Sequence, residues 1–272
     1  MRPVVLFRAS LAEEEEMSIC RKYFRVIAQR SQVEAGDLVI PRFSALPWYK
    51  EFEADVQWNK GKLLNTYRQH CYVADLRNWY YDLGDYTPRT WFYLDQIPTE
   101  GPFVLKGQTN SKKFNWKTHM FARDKYEASE VHSRLAADGH VGAQQIYVRQ
   151  YVPLRKLAQG LQGLPISEEY RFFVLDGKVV SGAFYWSSHT EYIEEEVGFK
   201  PDPKLVPKDW LDKVVSIVAP KVRFFVVDVA RTEDGDWIVI ELNDGQQSGL
   251  SDNDPHELYS NMKDILLGDL RF

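Results

Sequence analysis

RFFVVDVARTEDGDWIVIELN, residues 223–243, consists of two runs of β-branched and aromatic residues on either side of an Asp-Gly pair. Such runs read as strands, and Asp234-Gly235 favours a two-residue type I′ connection between them. With that turn, Asp228 falls opposite Glu241. Asn243 lies two residues beyond Glu241 and therefore on the same face, because strand side chains alternate with period two. Acids placed opposite each other repel unless something neutralises them, and Asp228 also interrupts the apolar run Phe224 to Val229. Magnesium prefers hard oxygen ligands of this kind. Read alone, the hairpin admits a bound cation or two acids solvated on an exposed sheet face.

Working outward, a second hairpin is expected from Tyr170 to Leu175, through Asp176-Gly177, to Lys178 to Tyr185. Leu211, Val214, Val215 and Val218 mark a helix between the hairpins, and Asp254, Pro255 and Glu257 open a final one. Upstream, the turn residues Ile97 to Pro102 precede a short strand, Phe103 to Gly107, carrying Lys106 near its end. Asp124 and Glu127 form a capping box for a helix over 125–138 that stops at Gly139, and an apolar strand follows at Ile146 to Val152. The chain opens with a strand at Val4 to Phe7. Ser10 and Glu13 then stand in capping-box spacing ahead of Met17, Cys20, Phe24 and Ile27, read as one helix. A strand at Asp37 to Ile40 is halted by Pro41, and a helix is expected near Lys60 to His70. Strand pairs mixed with helices, without strict alternation, indicate an α+β fold with a boundary near residue 95.

The bulk properties narrow the function. At 272 residues and 44% hydrophobic the chain can bury a sizeable core. Its formal charge of −5 argues against a general nucleic-acid coat. Cys20 and Cys71 have no disulfide or zinc spacing, which suits a reducing cytoplasmic setting. No apolar stretch approaches the ~20 residues of a membrane span, so no membrane partner and no signal peptide are expected. His119, His132, His140 and His189 lack partner spacing, and GxSxG and HExxH are absent. The aromatic residues between Trp48 and Tyr93 read as core and interface packing before a base-stacking platform. The loop Gln108 to Thr118 carries Lys112, Lys113 and Lys117 and suits either a phosphate-covering loop or a solvated surface loop; it is not a P-loop.

The order of these elements resembles the ATP-grasp superfamily over about residues 88 to 250. Thr87-Pro88-Arg89-Thr90-Trp91-Phe92 precedes Phe103-Val104-Leu105-Lys106-Gly107, where the family carries a phosphate-contacting strand lysine. Ile146-Tyr147-Val148-Arg149-Gln150-Tyr151-Val152 looks like the inter-lobe strand whose backbone holds adenine. Glu169-Tyr170-Arg171-Phe172-Phe173-Val174 resembles the strand presenting an arginine to phosphate. Val227-Asp228-Val229 with Ile240-Glu241-Leu242-Asn243 resembles the family's metal pair.

The resemblance implies a small Rossmann-like domain over 1–94 and an ATP-grasp domain over 95–272, with lobes at about 95–152 and 153–272. It implies ATP with Mg²⁺, or Mn²⁺, as cofactors, the metal on Asp228, Glu241 and Asn243. Lys106 and Arg171 would be catalytic, and Lys106, Lys112, Lys113, Lys117, Gln150, Tyr151, Val152 and Arg171 would bind nucleotide. The implied reaction activates a carboxylate as an acylphosphate for capture by an amine or similar nucleophile. Alternatives are phosphoryl transfer to a hydroxyl, or a nucleotide-dependent factor that modifies or binds RNA or protein through the region Trp48 to Trp91. Many relatives have an acid where this chain has Arg149 or Gln150, and a glycine-rich loop where it has lysines. Gly245 to Gly249 reads as part of an acceptor pocket or as a plain turn, and Ser187 to Glu196 as a lid or an exposed loop.

Overall fold

Four short runs at the amino terminus form an all-parallel sheet in the order β2-β1-β3-β4: β1 (Arg2–Leu6), β2 (Arg25–Ile27), β3 (Asp37–Pro41) and β4 (Lys62–Leu63). Parallel neighbours need long crossovers, here supplied through α1 (Glu14–Cys20) and α2 (Tyr49–Trp58). The computed structural model describes residues 1–8, 14–109, 111–139 and 141–268, with the backbone alone at Phe114, so the capping box at Ser10 and Glu13 and also His140 lie outside the described residues.

Two expectations change in this region. Met17 and Cys20 lie on α1, but Phe24 and Ile27 do not: the amides of Tyr23 and Phe24 both donate to the Cys20 carbonyl, closing the helix, and Ile27 ends β2. Phe24 and Ile27 are nonetheless buried, so their helical spacing reports burial of a helix, a turn and a strand in succession. The helix expected near Lys60 begins only at α3 (Tyr67–Ala74), where Thr66 and Gln69 form a capping box. Lys60 sits at a positive φ of 58° and Lys62–Leu63 joins the sheet instead. The helix α4 (Leu76–Trp79) follows.

A second sheet, β5-β8-β6-β7, is antiparallel: β5 (Thr90–Trp91), β6 (Glu100–Gly107), β7 (Phe121–Asp124) and β8 (Ile146–Gln150). It begins a few residues ahead of position 95, because Thr90 and Trp91 pair with Arg149 and Val148. The short helix α5 (Trp116–His119) leads into β7, and α6 (Lys125–Ala136) is capped by the Asp124 carboxylate accepting from the Glu127 amide at 2.9 Å. Period-two alternation sends Phe103, Leu105, Ile146 and Val148 against α6 and leaves Val104 and Lys106 on the opposite face. A small hairpin not anticipated from sequence, β9 (Lys156–Gln159) with β10 (Pro165–Ser167), leads into the last sheet.

That sheet is antiparallel in the order β12-β11-β13-β14: β11 (Glu169–Leu175), β12 (Lys178–Phe184), β13 (Phe224–Arg231) and β14 (Trp237–Asp244). Both faces are covered. Phe172, Val174, Phe225 and Val227 pack with Leu211, Val214 and Val218 of α8 (Lys208–Val218). Phe173, Phe224 and Val226 pack with Leu258, Tyr259 and Met262 of α9 (Pro255–Gly268), in a cluster that also takes in Val5, Phe7 and Ile40. Burial on both faces explains the near-continuous apolar run of β13. The stretch Ser187 to Glu196, expected to be irregular, is a succession of helical turns including α7 (Thr190–Tyr192), anchored by the buried Ile193.

The two Asp-Gly turns differ. Asp176 and Gly177 both have positive φ, 47° and 77°, as a type I′ turn requires. In the second hairpin only Gly235 does, at 96°, and the Thr232 amide donates to Asp236 O at 2.8 Å while the Gly235 amide donates to Thr232 O at 3.1 Å. The loop is therefore Glu233-Asp234-Gly235, one residue longer than expected. Its pairs, Arg231 with Trp237 through Val229 with Val239, are displaced by one position, and a bulge at Ile240 restores the register so that Asp228 pairs with Glu241 after all.

Among the described residues no helix is long and apolar enough to cross a membrane. The amino-terminal region is fastened to β13 and β14 by Asn65, which is fully buried. Its amide donates to Asp244 Oδ1 at 2.8 Å, and its oxygen accepts from the Phe224 amide at 3.0 Å. Replacing Asn65 with Ala strands the Phe224 amide and leaves Asp244 Oδ1 to Gln246 alone, so unfolding in urea should show a loss of about 1–3 kcal/mol. A midpoint unchanged with the same slope would show that this junction carries no stability.

Candidate functional site

The free face of β6 and β8 looks across at β14, and between them lies a cleft of about 1020 Å³ open to solvent. Val104, Met120, Val152, Leu154, Leu164 and Ile238 give it apolar walls, and Lys106, Lys113, Arg149, Glu169 and Glu241 supply charge. The bulge is what brings Ile240 and Glu241, adjacent in sequence, to the same cleft. Its carbonyls are braced from beneath: Arg149 Nη1 donates to Ile240 O at 2.6 Å, Thr87 Oγ1 donates to Val239 O at 2.8 Å, and Arg149 Nη2 donates to Thr87 Oγ1 at 2.6 Å.

Charge is arranged in a row across the last sheet, since Arg171 pairs in register with Asp228 and Asp228 with Glu241. Asp228 is fully buried and accepts both arms of the Arg171 fork, from Nε and Nη2, each at 2.8 Å. Arg171 Nη1 reaches Gly249 O at 2.8 Å. Glu241 is paired with the ammonium of Lys106 and hydrogen-bonded by Asn243. Burial alone would raise the Glu241 carboxyl, but Lys106 and Lys113 outweigh it and hold it down at about 2. The repulsion between Asp228 and Glu241 anticipated from sequence is thus relieved by Arg171 and Lys106. The hairpin's electrostatics do not by themselves demand a metal.

The residues expected at the site separate into three groups. Lys106, Lys113, Gln150, Tyr151, Val152 and Glu241 line the cleft. Arg171, Asp228 and Asn243 stand behind it, linked to Glu241 through the row of pairs. Lys112 instead forms an ion pair with Asp138 at 2.8 Å, and Lys117 is exposed and lies along Gly163, so neither faces the cleft. Arg149 is committed to the bulge. Gln247, Ser248 and Gly249 border a second cavity beside Glu15, Glu16 and Arg42, whereas Gly245 and Gln246 are buried.

Sequence reading missed several groups. Glu169 lines the cleft and stands two residues before Arg171 on β11. Alternation could have found it, because it must share the face of Arg171. Burial lifts its carboxyl to about 7, with Asp228 and Glu241 adding to the effect against Lys113 and Arg171. Lys156 and Ser167 come from the unanticipated small hairpin, and Trp186 from beyond β12. His70, buried, contacts Asp244 Oδ2 at 3.1 Å and stacks on Tyr49 with ring centroids 4.2 Å apart.

Arg149 Nε, Glu169 Oε1 and Trp186 Nε1 are buried without a hydrogen-bond partner, and all three residues line the cleft. Stranded polar atoms cost about 1–3 kcal/mol each, so a polar ligand or solvent completes this surface. Apolar walls suit a flat base, and Lys106 and Lys113 suit a polyanion. Two carboxylates and an amide, Asp228, Glu241 and Asn243, form an oxygen donor set of the kind magnesium takes. Among the described residues no group of three or more His, Cys, Asp or Glu side chains could hold a metal, so the Asn243 amide is needed to complete the set. The residues fit a magnesium nucleotide, provided each carboxylate shares its protein cation with the metal.

Residues 93–262 match a family model described as "ATP-grasp domain, R2K clade family 3". No curated protein matches the sequence. Among solved structures, a RimK domain ATP-grasp protein from Sphaerobacter thermophilus DSM 20745 is similar at a TM-score of 0.59 and 15% identity, covering 98% of this chain and 100% of that one. The D-cycloserine synthetase DcsG is similar at 0.60 and 14%, covering 97% and 99%. The ATP-grasp ligase PsnB, in complex with minimal precursor, Mg and ADP, is similar at 0.59 and 11%, covering 99% and 98%. Identities this low show a common fold.

Because Glu169 titrates above its ordinary value of 4.5, the folded chain binds more protons than the unfolded one between about pH 4.5 and 7. That contribution favours folding at the acidic end and is lost as pH rises through 7. Glu241 acts in the opposite sense, stabilising above its ordinary value and losing this as pH falls toward 2. Glu169→Gln should therefore flatten the fall in melting temperature between pH 5 and 7.5 and leave the variant a few degrees more stable at pH 8. A steeper fall in the variant would contradict the assignment.

Proposed function

The chain belongs to the ATP-grasp family, whose cofactors are ATP and Mg²⁺, and on that premise we propose that it is a ligase that activates a carboxylate as an acylphosphate for capture by an amine. The observation that carries the reading is the row Lys106, Glu241, Asp228, Arg171, which runs from the lining of a base-sized cleft to the edge of the second cavity. When bound, ATP supplies the phosphoryl group and magnesium neutralises its charge. Phosphoryl transfer depends chiefly on positioning and on charge, which this row can provide without a side-chain nucleophile.

Each residue's part follows from its contacts. The apolar walls and the backbone at Gln150 to Val152 receive the base, with the Gln150 and Tyr151 amides already committed to Arg89 O and Pro102 O to fix that segment. Lys106 and Lys113 meet phosphate oxygens. Asp228, Glu241 and Asn243 hold the metal. Arg171 ends the charge row with one arm on the Gly249 carbonyl, at the border of the second cavity, and would steady charge on the carboxylate being activated. The second cavity then takes the carboxylate and its acceptor, in keeping with the placement of Gln247, Ser248 and Gly249. Similarity to a D-cycloserine synthetase and to an ATP-grasp ligase solved with a minimal precursor supports a ligase.

A screen of carboxylate and amine pairs should show ADP and phosphate released together with a new amide. If ATP is turned over only to place phosphate stably on a hydroxyl, the ligase reading fails. Asp228→Asn and Glu241→Gln should each lower magnesium-dependent turnover at least about 100-fold, the scale of losing one main electrostatic contact in a transition state. Folding should be checked by circular dichroism. Full activity in both folded variants would remove the proposed metal site.

A further inference from the structure

Tyr185 follows β12 and was not singled out by any sequence pattern. Its amide donates to Glu169 O at 2.9 Å, which fixes it beside the charged end of the cleft. Two cations contact this one side chain. The Lys113 ammonium donates to the phenol oxygen at 2.7 Å and lies 4.2 Å from the ring centroid, and the Arg171 guanidinium carbon lies 4.8 Å from the same centroid. Trp186 adds a second ring to Lys113, at 5.4 Å. Lys113 comes from the loop between β6 and β7 and Arg171 from β11, so the ring joins cations contributed by the two opposing sheets.

Like charges held this close repel: Arg171 is paired with Asp228, while Lys113 feels Glu169 and Glu241 through space, as Arg171 also does. The side chain lowers the cost of both: its hydroxyl accepts from the Lys113 ammonium, which lies beyond the ring edge, and its face attracts the Arg171 guanidinium by about 0.5–2 kcal/mol. We infer that Tyr185 is a positioning residue for the terminal phosphate of the bound nucleotide: its hydroxyl holds Lys113 and its ring holds Arg171, as a pair across the cleft. The inference rests on the proposed nucleotide site. It makes a narrower claim, that the γ-phosphate is felt through an aromatic side chain that need not touch it. ADP, lacking that phosphate, should be indifferent to the ring.

The test compares magnesium-dependent binding of ADP and of the β,γ-imido analogue of ATP by calorimetry, with the full chain. Tyr185→Leu should weaken the imido analogue about tenfold while ADP changes by less than about twofold. Tyr185→Phe, which keeps the ring against Arg171 and loses the hydrogen bond to Lys113, should recover only part of the difference. In a Lys113→Met background, Tyr185→Leu should add little, since one of its two cations is already gone. Tyr185→Met serves if the Leu variant melts at a clearly lower temperature. Equal weakening of both nucleotides would mean a structural role, and a Phe variant that binds as tightly as the unsubstituted chain would leave the Lys113 hydrogen bond with no part in it; either overturns the inference. Failure of the unsubstituted chain to bind either nucleotide would instead overturn the nucleotide site itself, and this inference with it.

Discussion

The Arg171–Asp228 fork is the interaction on which the site depends. Asp228 stands in the middle of a strand whose neighbours are apolar on both faces, a place where an unpaired carboxylate would be driven to take up a proton. Two parallel hydrogen bonds from Arg171 satisfy its oxygens and fix the side chains in one geometry. Breaking such a pair leaves a buried charge behind and costs about 3–5 kcal/mol, although a well-packed apolar pair could be as stable. Stability therefore does not explain why a charged pair occupies this position. Its value lies in carrying charge from the sheet interior to the cleft: Asp228 aligns Arg171, faces Glu241, and Glu241 takes Lys106 from the opposite sheet. The cleft is in this way spanned by alternating charges that a polyanion and a metal can rearrange.

Much of this was legible in the sequence, because strand alternation and facing positions follow from residue order. The α6 cap at Asp124 and the turn at Asp176-Gly177 could be derived; the pairing of Asp228 with Glu241 was derived from a two-residue turn and holds because the bulge at Ile240 cancels the longer loop. What could not be read is the identity of the neutralising charges. Arg171 and Lys106 arrive from strands 57 and 135 residues away, and no local pattern announces which distant cation meets which acid. The same limit explains Lys112 and Lys117. A loop rich in lysines says that positive charge is present, whereas the fold decides that Lys113 enters the cleft while Lys112 goes to Asp138.

The amino-terminal region shows a different failure. Phe24 and Ile27 satisfy helical spacing and are buried as that spacing predicts, yet one lies in a turn and the other in a strand. Short apolar runs record burial more faithfully than conformation, since β-branched Val26 and Ile27 suit a strand and nothing after Cys20 continues the helix. Where a cap was present, as at Thr66, the start of the helix was in fact signalled; a helix expected near Lys60 to His70 was placed too early for want of apolar periodicity around it.

The bulge at Ile240 separates the hairpin's tip from its base. A residue gained or lost in the Glu233–Gly235 loop shifts the pairs from Arg231–Trp237 to Val229–Val239, but the register beyond is set by Ile240, whose carbonyl Arg149 holds in place. The bulge works as a vernier. It divides the hairpin into outer pairs whose register follows the turn and an inner stretch where the carboxylate row at Glu241 keeps its alignment.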